Sequence, residues 1–134
     1  MKWFWLCLLL VGCGRETPLG PSLNKEEKVL SITVINRSGY QVPTDTMKRF
    51  VRWRQGQVGG LGGKTIMIYV HKQTSNVLGN AYLGGEEIWL YVRPQYTISE
   101  ILQTLAHETD HLRGFRHDYT DRQDYAKIVK DFGA

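Results

Sequence analysis

Residues 77–92 read VLGNAYLGGEEIWLYV, and residues 97–114 read TISEILQTLAHETDHLRG. The first stretch holds a short strand around Val77 to Leu83, a Gly84-Gly85 turn and a second strand from Glu87 to Val92, the pattern of a hairpin. The second opens on Thr97 or Ser99 as N-cap and runs as one long helix to about Arg113, where Gly114 stops it. Working outward, Val29 to Ile35 (VLSITVI) is rich in β-branched residues and reads as a buried strand. After Pro43, Asp45 to Gln57 sets Met47, Phe50, Val51 and Trp53 among basic side chains, an amphipathic helix with Thr44 or Asp45 as its cap. The VGGLGG run from Val58 to Gly63 breaks that helix. It reads as a flexible connection, because neither GKS, GKT nor GxGxxG accompanies it. Lys64 to His71 (KTIMIYVH) is a further strand, and His71 at its end reads as an exposed histidine. Asp121 to Phe132 is a last helix with Tyr125, Ile128, Val129 and Phe132 on one face. The order β-α-β-β-β-α-α gives an α/β (α+β) layered domain: a small mixed, twisted sheet with an antiparallel edge strand, packed on the long helix.

The long helix also carries chemistry. Ile98, Ile101, Leu102, Leu105 and Leu112 fall within an arc of roughly 100°. His107 and His111 lie outside that arc, four residues apart, so their imidazoles project from one face, one turn above the other. That spacing lets both reach one Zn²⁺ at ~2.0–2.1 Å. Glu108 sits beside the pair, where its carboxylate can take a proton from a metal-bound water. Gly114 can turn the chain sharply through φ > 0, and His117 then returns as a third ligand. Three neutral imidazoles leave a fourth position open for water, the mark of a catalytic zinc more than a structural one. Three of the chain's four histidines fall in this one segment, HETDHLRGFRHD from His107 to Asp118.

The rest of the composition bounds the setting. The chain has 134 residues, 42% hydrophobic and 22% charged, which excludes wholesale disorder and collagen-like repeats. Its formal charge of +4 permits an anionic partner without demanding one. Lys48, Arg49, Arg52 and Arg54 read as a solvated face or a surface for anionic headgroups, and no nucleic acid is expected. The two cysteines, Cys7 and Cys13, sit near the start, which excludes a disulfide framework and a cysteine-rich zinc module.

Residues 1–13, MKWFWLCLLLVGC, combine one lysine with an apolar run too short to span a bilayer, as in a secretory signal. Leu10-Val11-Gly12-Cys13 resembles the bacterial lipobox, whose cysteine is lipidated and becomes the first residue. The resemblance implies a signal peptide at 1–12, a lipidated Cys13 with a flexible tether at 13–27, and a domain at 28–134. It also implies anchorage in a bacterial cell envelope, at the outer membrane if the cell is Gram-negative, since Gly14 follows the cysteine.

HETDHLRGFRHD resembles the extended zinc signature of the metzincin metallopeptidases, HExxHxxGxxHD, and Asp118 is similar to the trailing aspartate of their adamalysin-like branch. The hairpin and helix of residues 77–114 are similar to the family's cleft-rim edge strand, following strand and active-site helix. The resemblance implies a zincin-like catalytic domain with one Zn²⁺ held by His107, His111 and His117 and with Glu108 as catalytic base. It further implies a peptide or protein substrate bound by strand addition along Asn80, Ala81, Tyr82 and Leu83. A monomer is expected. The family's methionine turn has no counterpart: Met1, Met47 and Met67 all precede His117, and 17 residues follow it. Ile128, Val129 or Phe132 are the candidates to floor the site instead. Tyr119 and Tyr125 are the phenols nearest in sequence, each more naturally a core or surface residue than a catalytic one. The other reading of the same residues is an envelope lipoprotein that binds zinc without turnover and serves in binding or assembly.

Overall fold

The structure is a computed structural model that describes residues 29–134; the signal, Cys13 and the tether lie outside the described residues. The described chain runs β1 (Ser31–Asn36), α1 (Thr44–Val58), β2 (Thr65–Lys72), β3 (Gly79–Ala81), β4 (Glu87–Val92), α2 (Ile98–Leu112), α3 (His117–Thr120) and α4 (Tyr125–Phe132). The strands form one mixed sheet in the order β1-β2-β4-β3. β1 pairs parallel with β2 and β2 parallel with β4, while β3 runs antiparallel to β4 at the edge. The α+β architecture with an antiparallel edge strand is therefore the one the sequence pattern indicates.

Period-two alternation puts one set of strand side chains inside. Ile66, Ile68 and Val70 of β2 and Ile88, Leu90 and Val92 of β4 are buried. Against that face pack Met47, Phe50 and Val51 of α1, Leu102, Leu105 and Ala106 of α2, and Val129 of α4. The opposite face carries paired rings instead: Tyr69 stacks on Trp89 and His71 on Tyr91, each at 5.9 Å between centroids. His71 is thus half-buried, not free in solvent.

Several boundaries differ from the sequence reading, each for a local reason. α1 begins at Thr44 with Pro43 in the cap position and no side-chain cap; the Pro43 carbonyl accepts from the Met47 amide at 2.9 Å. Proline's fixed φ puts the cap at Pro43, one residue before the first of the two expected caps, Thr44. β3 is only three residues long. Its C-terminal end is cut by a turn in which the Gly85 amide donates to the Tyr82 carbonyl at 3.0 Å. The last helix starts at Tyr125 and not at Asp121, because Asp124 caps it by accepting from the Lys127 amide at 3.0 Å, and the one-turn α3 precedes it. On α2, Ile98 stays exposed while the rest of the aliphatic stripe is buried. On α1, Arg54 is no part of a solvated face: it is 6% exposed and pairs with Asp110 of α2 at 3.6 Å. No helix among the described residues is long and apolar enough to cross a membrane.

Candidate metal centre

α2 is built to hold its face still. Thr97 and Glu100 form a reciprocal capping box: the Thr97 hydroxyl accepts from the Glu100 amide at 3.1 Å, and the Glu100 carboxylate accepts from the Thr97 amide at 2.8 Å. At the other end Gly114 adopts φ +98, and its amide donates to the His111 carbonyl at 2.9 Å. The Phe115 amide donates to the Asp110 carbonyl at 3.0 Å, closing the reversal that delivers His117 at the first turn of α3.

The three imidazoles converge. One ring nitrogen from each of His107, His111 and His117 lies within 4.8 Å of the other two. Nε2 of His107 and Nε2 of His111 are 3.1 Å apart, close to the ~3.3 Å between two nitrogens on a tetrahedral zinc with ~2.0–2.1 Å bonds. Nδ1 of His111 lies 2.7 Å from the Phe115 carbonyl, which can only accept, so Nδ1 carries the proton and Nε2 offers its lone pair to the cluster. Burial, reinforced by the adjacent His111 and His117, lowers the pKa of His107 and favours the neutral form that ligates. The donor set fits a zinc ion: three imidazoles, one already oriented through its second nitrogen.

Glu108 is 5% exposed, and burial raises its pKa to about 7. It lies against the edge strand at Gly79: a Cβ there would come within 2.9 Å of Glu108 Oε2 and 3.0 Å of Thr104 Cγ2. Glycine at position 79 lets the strand approach the helix this closely, a requirement that the sequence reading did not register. β3 and α2 run side by side, with Gly79 against Thr104 and Glu108, and with the Gly84 amide donating to the His111 carbonyl at 2.9 Å.

Between strand and helix lies a cleft of about 820 Å³ that contains all three histidines and Glu108. Asn80, Ala81 and Leu83 line it. Tyr82 does not: it is 71% exposed, with its ring edge-on to Trp89, and Trp89 belongs to the sheet face opposite the helices. Tyr82 follows the last residue of β3, and its carbonyl accepts from the Gly85 amide in the turn that ends the strand.

Ile128, Val129 and Phe132 do not line the cleft. Val129 is fully buried in the core, and Phe132 packs edge-on to Phe50 at 5.2 Å. Tyr125 reaches the cleft instead, its ring 5.7 Å from that of His107. Its hydroxyl donates to Asp110 at 2.7 Å, so the phenol is engaged beneath the site; burial and that bond push its pKa up. Tyr119 is occupied elsewhere, stacked on Phe115 at 3.9 Å. Asp110, to which the sequence reading gave no role, is fully buried and accepts from Arg113 as well, at 2.7 Å. Comparison with protein-family models, with curated proteins and with solved structures found no match.

Proposed function

We propose that this protein is a lipid-anchored zinc metallopeptidase that hydrolyses peptide bonds at a bacterial cell envelope. The observation that carries the proposal is the convergence of His107, His111 and His117 within 4.8 Å, beside a buried Glu108, in an open cleft. The resemblance of residues 107–118 to the metzincin signature supports the same reading.

His107, His111 and His117 would hold the ion, which supplies a Lewis acid for the scissile carbonyl and brings the pKa of its water toward ~7. Glu108 handles the proton. Its carboxylate takes one from the attacking water and returns it to the leaving nitrogen, and its raised pKa suits both halves of that task near neutral pH. Gly79 holds the edge strand against Glu108, which fixes the carboxylate relative to an extended substrate added along Asn80 and Ala81. The Phe115 carbonyl holds His111 in one tautomer.

The test is turnover of a quenched-peptide pool by zinc-loaded protein and by Glu108→Gln. The proposal expects cleavage by the first and at least a hundredfold less by the second. Equal rates from both would remove the enzyme and leave a zinc-binding envelope lipoprotein. The anchor rests on residues 1–13 alone. Cys13→Ser should move the protein from the membrane fraction to the soluble one, and unchanged sedimentation would contradict the lipobox assignment.

A further inference from the structure

Apart from the histidines, the ionisable acids and bases lining the cleft are Glu100, Glu108, Arg116 and three tyrosines. Glu100 is committed to the Thr97 amide in the capping box of α2, at one end of the cleft. Glu108 is buried beside the histidines. Arg116 is different: it is exposed, and among the described residues its guanidinium forms no ion pair and donates no hydrogen bond. Neither Asp118 nor Asp121, its sequence neighbours, pairs with it.

Its backbone, by contrast, is held. The Arg116 carbonyl accepts from the amides of Tyr119 and Thr120 at 2.9 and 3.0 Å. Phe115 before it is fixed by its amide to Asp110, its carbonyl to His111 and its ring on Tyr119. His117 after it belongs to the histidine cluster. The fixed backbone places this free cation next to the reacting centre; closing on a partner costs it rotamer freedom, less per hydrogen bond formed because the guanidinium fork is already planar. The guanidinium fork matches a carboxylate, which it can bind through two parallel hydrogen bonds. The rest of the lining holds no second arginine or lysine: Val77, Leu78, Ile101 and Tyr96 stand there with Asn76 and the capping Glu100. Among the described residues Arg116 is thus the one arginine or lysine lining the cleft, and it directly precedes His117.

We propose that Arg116 determines specificity by binding a carboxylate of the peptide substrate, either an Asp or Glu side chain or the C-terminal carboxylate. The proposal rests on the peptidase reading of the site and adds the class of peptide it takes. The experiment uses one core peptide in four forms: amidated and neutral, amidated with an internal glutamate, neutral with a free C-terminus, and with both. Each is assayed for kcat/KM with the zinc-loaded wild type, Arg116→Gln and Arg116→Lys. Each is also titrated by fluorescence anisotropy against Glu108→Gln protein, alone and combined with Arg116→Gln.

A carboxylate is expected to raise kcat/KM and affinity about tenfold over the neutral form. That ratio should fall to near one in Arg116→Gln and survive in part in Arg116→Lys, which keeps the charge. A gain from the internal glutamate assigns the side chain; a gain from the free terminus assigns the chain end. A wild-type ratio near one, a ratio unchanged by Arg116→Gln, or no binding of any of the four peptides would overturn the proposal. Binding selectivity without turnover of any peptide would defeat the peptidase reading while keeping Arg116 as the carboxylate anchor.

Discussion

Glu108 carries its carboxyl out of water on the cleft side of α2, and that placement has a thermodynamic sign. Its pKa is about 7 in the folded chain against an ordinary value of 4.5. Below pH 4.5 both folded and unfolded states are protonated and burial costs nothing; above 7 both are ionised and the full cost is present. The metal-free protein therefore loses this contribution as pH rises from about 4.5 to 7. Glu108→Gln, which cannot ionise, should melt several degrees above the metal-free wild type at pH 8, with the gap closing at pH 4.5. Thermal scans at the two pH values check this, and an equal offset at both would contradict it. Gly79→Ala should act on the same carboxylate from the other side. The added Cβ at 2.9 Å from Glu108 Oε2 must displace it, so peptide turnover should fall about tenfold or more. Zinc affinity should be little changed, since the ligands come from α2 and α3. Parallel turnover and zinc titrations separate the two effects.

Among the elements, Asp110 is the joint. It accepts from Arg113 at the C-cap of α2, from the Tyr125 hydroxyl of α4, and lies 3.6 Å from Arg54 of α1. Removing one partner of a buried ion pair leaves uncompensated charge and costs about 3–5 kcal/mol. Asp110→Ala should lose that much in urea denaturation, a large share of a stability of about 5–15 kcal/mol. A loss under 1 kcal/mol would show that the network does not hold the three helices together. Thr97→Ala, at an exposed capping box, should cost only about 1 kcal/mol in the same measurement. The contrast marks what was legible in the sequence. A cap at Thr97 or Ser99, the i, i+4 histidines and the glycine turn to His117 are local patterns within a few residues, and a linear reading reaches them; the partner of Thr97 in the box, Glu100, it did not name. Arg54, Asp110 and Tyr125 lie 56 and 15 residues apart along the chain and meet only through packing of α1, α2 and α4. No periodicity marks such a contact, so Arg54 read as solvated and Asp110 had no role. The length of β3 escaped for a similar reason, because the turn at Tyr82–Gly85 that ends it also docks on α2 through Gly84.

At the scale of the molecule, the helices share one sheet face, and the histidine cluster lies where α2 meets the edge strand. Two of its histidines come from α2 and the third from α3, across the Gly114 turn. A bound ion therefore ties the core helix to the chain's C-terminal part, and zinc should raise the melting temperature in a concentration-dependent way by mass action. The most direct test of the centre is equilibrium zinc binding by the wild type, Glu108→Gln and His111→Ala, with stoichiometry read by metal analysis after dialysis. The account predicts one zinc per chain for the first two and loss of that site in the third. Stoichiometric zinc retained by His111→Ala, or none bound by the wild type, would contradict it.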